Sequence, residues 1–257
     1  MPLRPSRSLK TEYACYLDER IEEYKESVSR NVLLSIGDEA VTFIAKQPQF
    51  ELTELVLCDE VNKIISKRLR LPSYSAWRKT RLKLLEELRR PEHWGLSRDD
   101  LVVRAVEAVG GDSRVLVAGA GVETPALYLA ANGCDVTALS DADAVQRVMD
   151  AAEEAGLGER VHVSASALNA FTPDAPLTAV IYTSAAFRGL SASERTRVIE
   201  VLQSATADGG VHLVETIAAG KRTAVSLDEL RKRYRGWDVT IDDATSNSFL
   251  ARKGIAD

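Results

Sequence analysis

Two glycines set one residue apart, Gly119 and Gly121 in "AGAGVE" (118–123), are the strongest chemical signal in the sequence. Glycine there allows a tight turn and lets the backbone come close to a ligand. A helix starting just after the pair offers unpartnered N–H groups to an anion or a polar group above the loop. About twenty residues further on, "LSDAD" (139–143) places Asp141, with Asp143 behind it, where an acid holds ribose hydroxyls in nucleotide-binding folds. A lone G-x-G also serves a tight turn with no ligand. The dinucleotide fingerprint needs a third glycine, and Thr124 stands in its place, which hinders the approach of a pyrophosphate.

Other chemistries find no support in the residue spacing. There is no H-x-x-x-H or C-x-x-C pair for a metal, no G-x-S-x-G nucleophile turn and no G-x-x-x-x-G-K-[ST] phosphate loop. His162 and His212 fall inside apolar strand patterns and read as packing positions, as does His93 beside Trp94. Cys15, Cys58 and Cys134 are odd in number and far apart. That predicts reduced thiols and a cytoplasmic protein rather than a disulfide framework. No apolar run approaches the roughly 18 residues of a membrane helix, and "MPLRPSRSLK" lacks the apolar stretch of a secretory signal.

The glycine loop needs a frame, and the rhythm of residues 97–257 supplies one. "RVLVAG" (114–119), "DVTALS" (135–140), "RVHVSAS" (160–166), "LTAVIYTS" (177–184) and "VHLVETI" (211–217) read as strands. Helices are predicted over 97–110, 124–133, 141–156, 191–206 and 226–234. Ser97–Asp100, Ser191–Glu194 and Ser226–Glu229 read as capping boxes. Such alternation predicts βαβ units and a parallel sheet. "WDVTIDD" and "SFLARKG" have only "ATSN" between them, so they form a hairpin and the last strand runs antiparallel.

Before residue 97 no strand pattern appears. Helices are predicted over 11–30, 38–47, 51–71 and 73–90, with "RPEHWGL" (90–96) as the joint. This predicts a flexible tail (1–8), a helical domain (9–96) and an α/β domain (97–257). The first 96 residues carry 17 Lys/Arg against 15 Asp/Glu, and the rest carry 16 against 23. Cations dominate residues 63–90, with Tyr74 and Trp77 among them. The stretch reads as a surface for nucleic acid or an acidic protein, or as a solvated helix face.

The missing third glycine and the closing hairpin lead to a resemblance. Residues 97–253 resemble the class I S-adenosylmethionine-dependent methyltransferases, nearest to the small-molecule branch of tellurite-resistance and thiopurine-type enzymes. "AGAGVETPALYLAANGCDVTALSDAD" is similar to that family's first motif and second-strand acid. "LTAVIYTSAAFRGLSASERTRVIEVLQSATADGGVHLVET" is similar to its fourth strand through its fifth. The resemblance implies a seven-stranded Rossmann-like α/β sheet with an antiparallel last strand, here preceded by an all-helical domain.

It also implies S-adenosylmethionine as cofactor. Gly119, Ala120 and Gly121 would line its methionine part, Ser140 and Asp141 its ribose, and Ala142, Ser166, Ala167 and Leu168 its adenine. Thr183 and Ser184 would face the methyl group and the substrate, and Tyr182, Thr183 and Arg188 are the catalytic candidates. Three positions depart from the family pattern. Val117 replaces an acid that orders the glycine loop, Glu123 replaces a small residue, and Ser140 occupies the usual place of the ribose acid, which is here displaced by one to Asp141. The expected function is methyl transfer to a small or macromolecular acceptor, with no metal. The alternative is an inactive methyltransferase fold serving as a nucleic-acid- or protein-binding scaffold.

Overall fold

The computed structural model describes residues 8–46, 53–183, 185–215, 217–218, 221–222, 225–241 and 248–255. The described residues divide into two compact units that meet in the sequence between Leu84 and Leu85. Among them, no helix is long and apolar enough to cross a membrane.

The first unit is helical: α1 (Leu9–Ser27), α2 (Arg30–Ala45), α3 (Glu54–Arg68) and most of α4 (Tyr74–Leu88). Ser8 and Thr53 cap α1 and α3 by accepting the N–H groups of Thr11 and Val56. The sequence predicts a helix only from residue 38, just after Gly37. The structure runs α2 straight through it. Ile36, Ala40 and Ile44 form one buried stripe at four-residue spacing, and that burial outweighs the ~1 kcal/mol that a helical glycine costs. The core gathers Ile21, Ile36, Ala40, Ile64 and Ile65. Within this unit the Tyr13 hydroxyl donates to the Pro72 carbonyl at 2.7 Å, and Arg81 pairs with Glu12 at 3.2 Å.

The second unit begins earlier than the expected joint. Leu85 and Leu88 of α4, together with Trp94 and Leu96, are apolar and pack into the core beneath the sheet. The Trp94 indole N–H donates to the Leu88 carbonyl at 2.6 Å, tying a 3-10 turn (Pro91–Trp94) to the end of α4. Next comes α5 (Leu101–Val109). Its N-cap is Asp100 and not Ser97, whose N–H instead bonds back to the Asp100 carboxylate.

The chain then alternates: β1 (Arg114–Ala118), α6 (Glu123–Ala131), β2 (Asp135–Leu139), α7 (Ala142–Glu154), β3 (Val161–Ser164), β4 (Leu177–Tyr182), α8 (Ala192–Ala205) and β5 (Thr206–Glu215). A two-residue ladder, Ile217–Ala218 with Lys221–Arg222, precedes α9 (Leu227–Arg233), β6 (Asp238–Ile241) and β7 (Ser248–Arg252). The predicted link between β6 and β7, residues 244–247, lies outside the described residues.

The strands form one sheet in the order β3-β2-β1-β4-β5-β7-β6. The first five run parallel, and β7 runs antiparallel to both its neighbours. Both faces are covered. Val115, Val117, Ile181 and Leu213 enter the core under α5, α6 and α7, while Leu116, Ala118, Val180 and Val214 enter the core under α8 and α9. Strands buried on two sides read as continuous apolar runs, as these do. β5 starts five residues before its predicted strand: Thr206 pairs with Leu177, and an irregularity carries the "DGG" turn before regular pairing resumes at Val211.

Candidate functional site

The strand order reverses between β1 and β4, and an open parallel sheet takes its ligand at such a point, outside the carboxyl ends of the strands. Gly119, Ala120 and Gly121 lie there. Thr183, just past β4, stitches the two loops together. Its N–H donates to the Ala118 carbonyl at 2.9 Å, and its hydroxyl donates to the Ala120 carbonyl, also at 2.9 Å. Gly119 has φ +122°, and a Cβ there would fall 2.2 Å from Thr183 Oγ1 and 2.9 Å from the Ala186 nitrogen. No other residue type fits without moving the β4 loop. Gly121 has φ +67° and open space around it, a cradle that a Cβ would narrow. The residue before α6, Val122, gives no side-chain cap, so the first N–H groups of α6 have no capping side chain.

The second half of the site lies beyond β2 and β3. The Ser140 N–H donates to the Ser164 carbonyl at 3.0 Å, joining these two loops. Ser140 is half-buried, and Asp141 and Ala142 are exposed. Asp141 Oδ1 accepts the Ala144 N–H at 2.8 Å, so this carboxylate caps α7, and its other oxygen has no partner among the described residues. Ser166 and Ala167 are exposed after β3, where Ser164 donates to Ser166 Oγ at 2.9 Å, and Leu168 packs into the core under α8. Arg188 is exposed in the turn after β4. Ser184 lies outside the described residues.

The departures from the family pattern have physical consequences. Val117 is fully buried in β1, paired with Ala138 on one side and Ile181 on the other, and offers no charge to the loop. Glu123, the first residue of α6, is not alone: Arg147 of α7 donates to its carboxylate at 3.2 Å. A helix N-terminus also favours a negative charge. Sequence reading marked Glu123 and missed Arg147. The two lie 24 residues apart, and no local spacing links them.

Tyr182 is not brought to the site. It is fully buried on the α8–α9 side of β4, stacked on Phe187 at 4.9 Å. Burial pushes its phenol well above the usual range. It belongs to a polar chain inside the core. Thr206 has one hydroxyl proton and donates it to the Leu202 carbonyl at 2.6 Å, so its oxygen must accept from His212 Nε2 at 2.7 Å. His212 Nδ1 is therefore the acceptor and takes the Tyr234 hydroxyl proton at 2.7 Å, with the Tyr182 hydroxyl 3.5 Å from the same nitrogen. Burial, helped by the Lys253 charge, holds His212 neutral, with its pKa down to about 3. A surface cavity of about 460 Å³, lined by Arg231, Arg235, Trp237 and Val239 among others, borders the edge strand β6 and contains none of the residues read as functional.

The family described as "Tellurite resistance protein TehB" matches residues 96–244, more than half of the chain. Among solved structures, TehB from Haemophilus influenzae is similar at 18% identity and a TM-score of 0.50, over 63% of this chain. The match spans 65% of the Haemophilus protein, less than two thirds of its length. The CcbJ methyltransferase from Streptomyces caelestis is similar at 14% identity and a TM-score of 0.50, over 61% of this chain and 94% of that one. The [4+2]-cyclase SpnF is similar at 20% identity and a TM-score of 0.50, over 61% of this chain and 80% of that one. No curated protein matches the sequence. The fold is that of the class I S-adenosylmethionine-dependent methyltransferases.

Proposed function

We propose, since the chain belongs to the tellurite resistance protein TehB family, that it binds S-adenosylmethionine at the ends of β1, β2 and β3 and transfers its methyl group to an acceptor. The observation that carries this reading is the glycine cradle. Gly119 is locked against Thr183 and Ala186, while Gly121 faces open space over a helix N-terminus without a capping side chain. Gly119, Ala120 and Gly121 would hold the methionine part through backbone groups. Ser140 and the second oxygen of Asp141 would receive the ribose, and Ala142, Ser166, Ala167 and Leu168 would border the adenine. Bound there, the cofactor supplies a methyl carbon on a sulfonium, open to in-line displacement.

That chemistry asks the protein mainly for positioning. Thr183 contributes rigidity, since its two hydrogen bonds fix the β4 loop against the glycine loop. Arg188, exposed in the adjoining turn, is the proposed contact for an acceptor carrying negative charge. Tyr182 has no part in the proposal, because its hydroxyl is spent in the core. SpnF shares the fold and is described as a cyclase, so the fold does not by itself name the reaction. Titration calorimetry with S-adenosylmethionine and S-adenosylhomocysteine tests the reading. Binding is expected, and Gly119→Ala should abolish it while destabilising the fold by about 1–3 kcal/mol through its backbone strain. Absence of binding at millimolar ligand would reject the enzyme and leave the inactive scaffold.

A further inference from the structure

The helical unit carries a charged surface that the methyl-transfer reading does not use. Residues 61–85 hold eight Lys or Arg and no Asp or Glu. Three of these cations have partners: Lys63 with Glu60, Arg68 with Glu39 and Arg81 with Glu12. The other five, Lys67, Arg70, Arg78, Lys79 and Lys83, are exposed and form no ion pair with a described residue. Lys67 ends α3, Arg70 turns the chain with φ +52°, and the rest lie on α4.

Aromatic rings share this surface. Tyr74 and Trp77 of α4 stack at 6.4 Å, and Tyr13 and Tyr16 of α1 join them, with Tyr13 5.4 Å from both Tyr74 and Trp77. All four are half-buried. Beside them a groove of about 300 Å³ is lined by Tyr74, Ser75, Arg78, Lys79 and Leu82, its walls largely apolar. An acidic protein would need only the cations. A largely apolar groove whose lining includes a tyrosine, an arginine and a lysine matches a ligand that alternates planar bases with phosphates.

We infer that α4 and the adjoining turn bind single-stranded nucleic acid, with Arg78, Lys79 and Lys83 on the phosphates and Tyr74 stacked on a base. The test is fluorescence anisotropy of the full chain with a labelled oligo(dT) or oligo(rU) 20-mer and with a duplex of equal length, using polyglutamate as competitor. The single strand is expected to bind, with log affinity falling against log salt by about 0.7 per phosphate contacted. R78E/K79E/K83E should weaken binding at least about tenfold and flatten the salt slope by about 2, at unchanged helix content. Lys83→Glu alone provides the milder variant should the triple one unfold. Tyr74→Leu should weaken single-strand binding several-fold without changing the slope. Failure of the oligonucleotide to bind, or indifference to charge reversal, overturns the inference. So does a duplex bound as tightly as the single strand. Displacement by polyglutamate at equal charge would overturn it too, by assigning the surface to acidic proteins.

Discussion

Glu123 opens α6 two residues after Gly121, where in the proposed binding mode the carboxylate of the methionine group would meet it. Left alone, the two negative charges would repel. Arg147, at 3.2 Å, pairs with Glu123, and both side chains are substantially exposed. The pair therefore adds under about 1 kcal/mol to folding, and its use would lie in shielding the ligand. Arg147→Ala is expected to weaken S-adenosylmethionine binding about two- to fivefold, with little change in melting temperature. Glu123→Ala should bind as well as the parent or better, and the double variant should bind like Glu123→Ala alone. Calorimetric affinities of the four proteins complete this cycle. If Arg147→Ala binds as the parent does, the shielding role is wrong. The residue types in this corner were legible in the sequence: Gly119, Gly121 and Glu123 could all be singled out. Thr183 could be named too, but not its hydrogen bond to the glycine loop, and Arg147 could not be named at all, because only the crossover order of the strands makes these residues neighbours.

The elements on the far side of the sheet are joined by the buried chain through His212. It links β5, α9 and the end of α8 by hydrogen bonds of 2.6–2.7 Å, and Lys253 closes it by donating to the Thr206 carbonyl at 2.6 Å. The chain works only while His212 is neutral. Its folded pKa is about 3, against about 6.5 when unfolded. Below 6.5 the unfolded state takes up a proton that the folded state refuses, so this contribution is intact above pH 6.5 and is lost progressively towards pH 3. The slope approaches about 1.4 kcal/mol per pH unit. Urea melts from pH 8 to pH 4 should show that slope in the parent and lose most of it in His212→Phe. A parent curve as flat as the variant's would refute the assignment. The elements themselves were largely readable. The strands and the Ser191–Glu194 capping box stand where residue patterns place them. What the pattern could not give is the face of a strand buried on both sides. In "AVIY" (179–182) Ala179 and Ile181 enter one core and Val180 and Tyr182 the other, so nothing local separates Tyr182, sunk in the core, from Thr183, at the site. Likewise the predicted starts of α2 at residue 38 and of β5 at residue 211 come too late because they follow local propensity, which burial in α2 and pairing with β4 override.

At the scale of the whole chain, the two units have unequal means of staying folded. Among the described residues before Leu85, the buried apolar side chains are Ile21, Ile36, Ala40, Ile44, Ile64 and Ile65. The second unit fills two cores, one on each face of a seven-stranded sheet. Apolar burial dominates folding stability, so the helical unit should open first. It also contains Asn62, whose buried side-chain oxygen has no hydrogen-bond partner among the described residues; a group left so costs about 1–3 kcal/mol. Scanning calorimetry of the full chain should resolve two transitions, the lower one carrying the loss of helix content. The glycine cradle lies wholly in the second unit. A ligand bound there stabilises only the state that binds it, by about 2.7 kcal/mol at a hundred times its dissociation constant. S-adenosylmethionine should therefore raise the upper transition and leave the lower where it was, whereas a single-stranded oligonucleotide should raise the lower one alone. One transition that moves as a whole with either ligand would show that the two units fold as one, and that the difference in their cores does not govern how the chain unfolds.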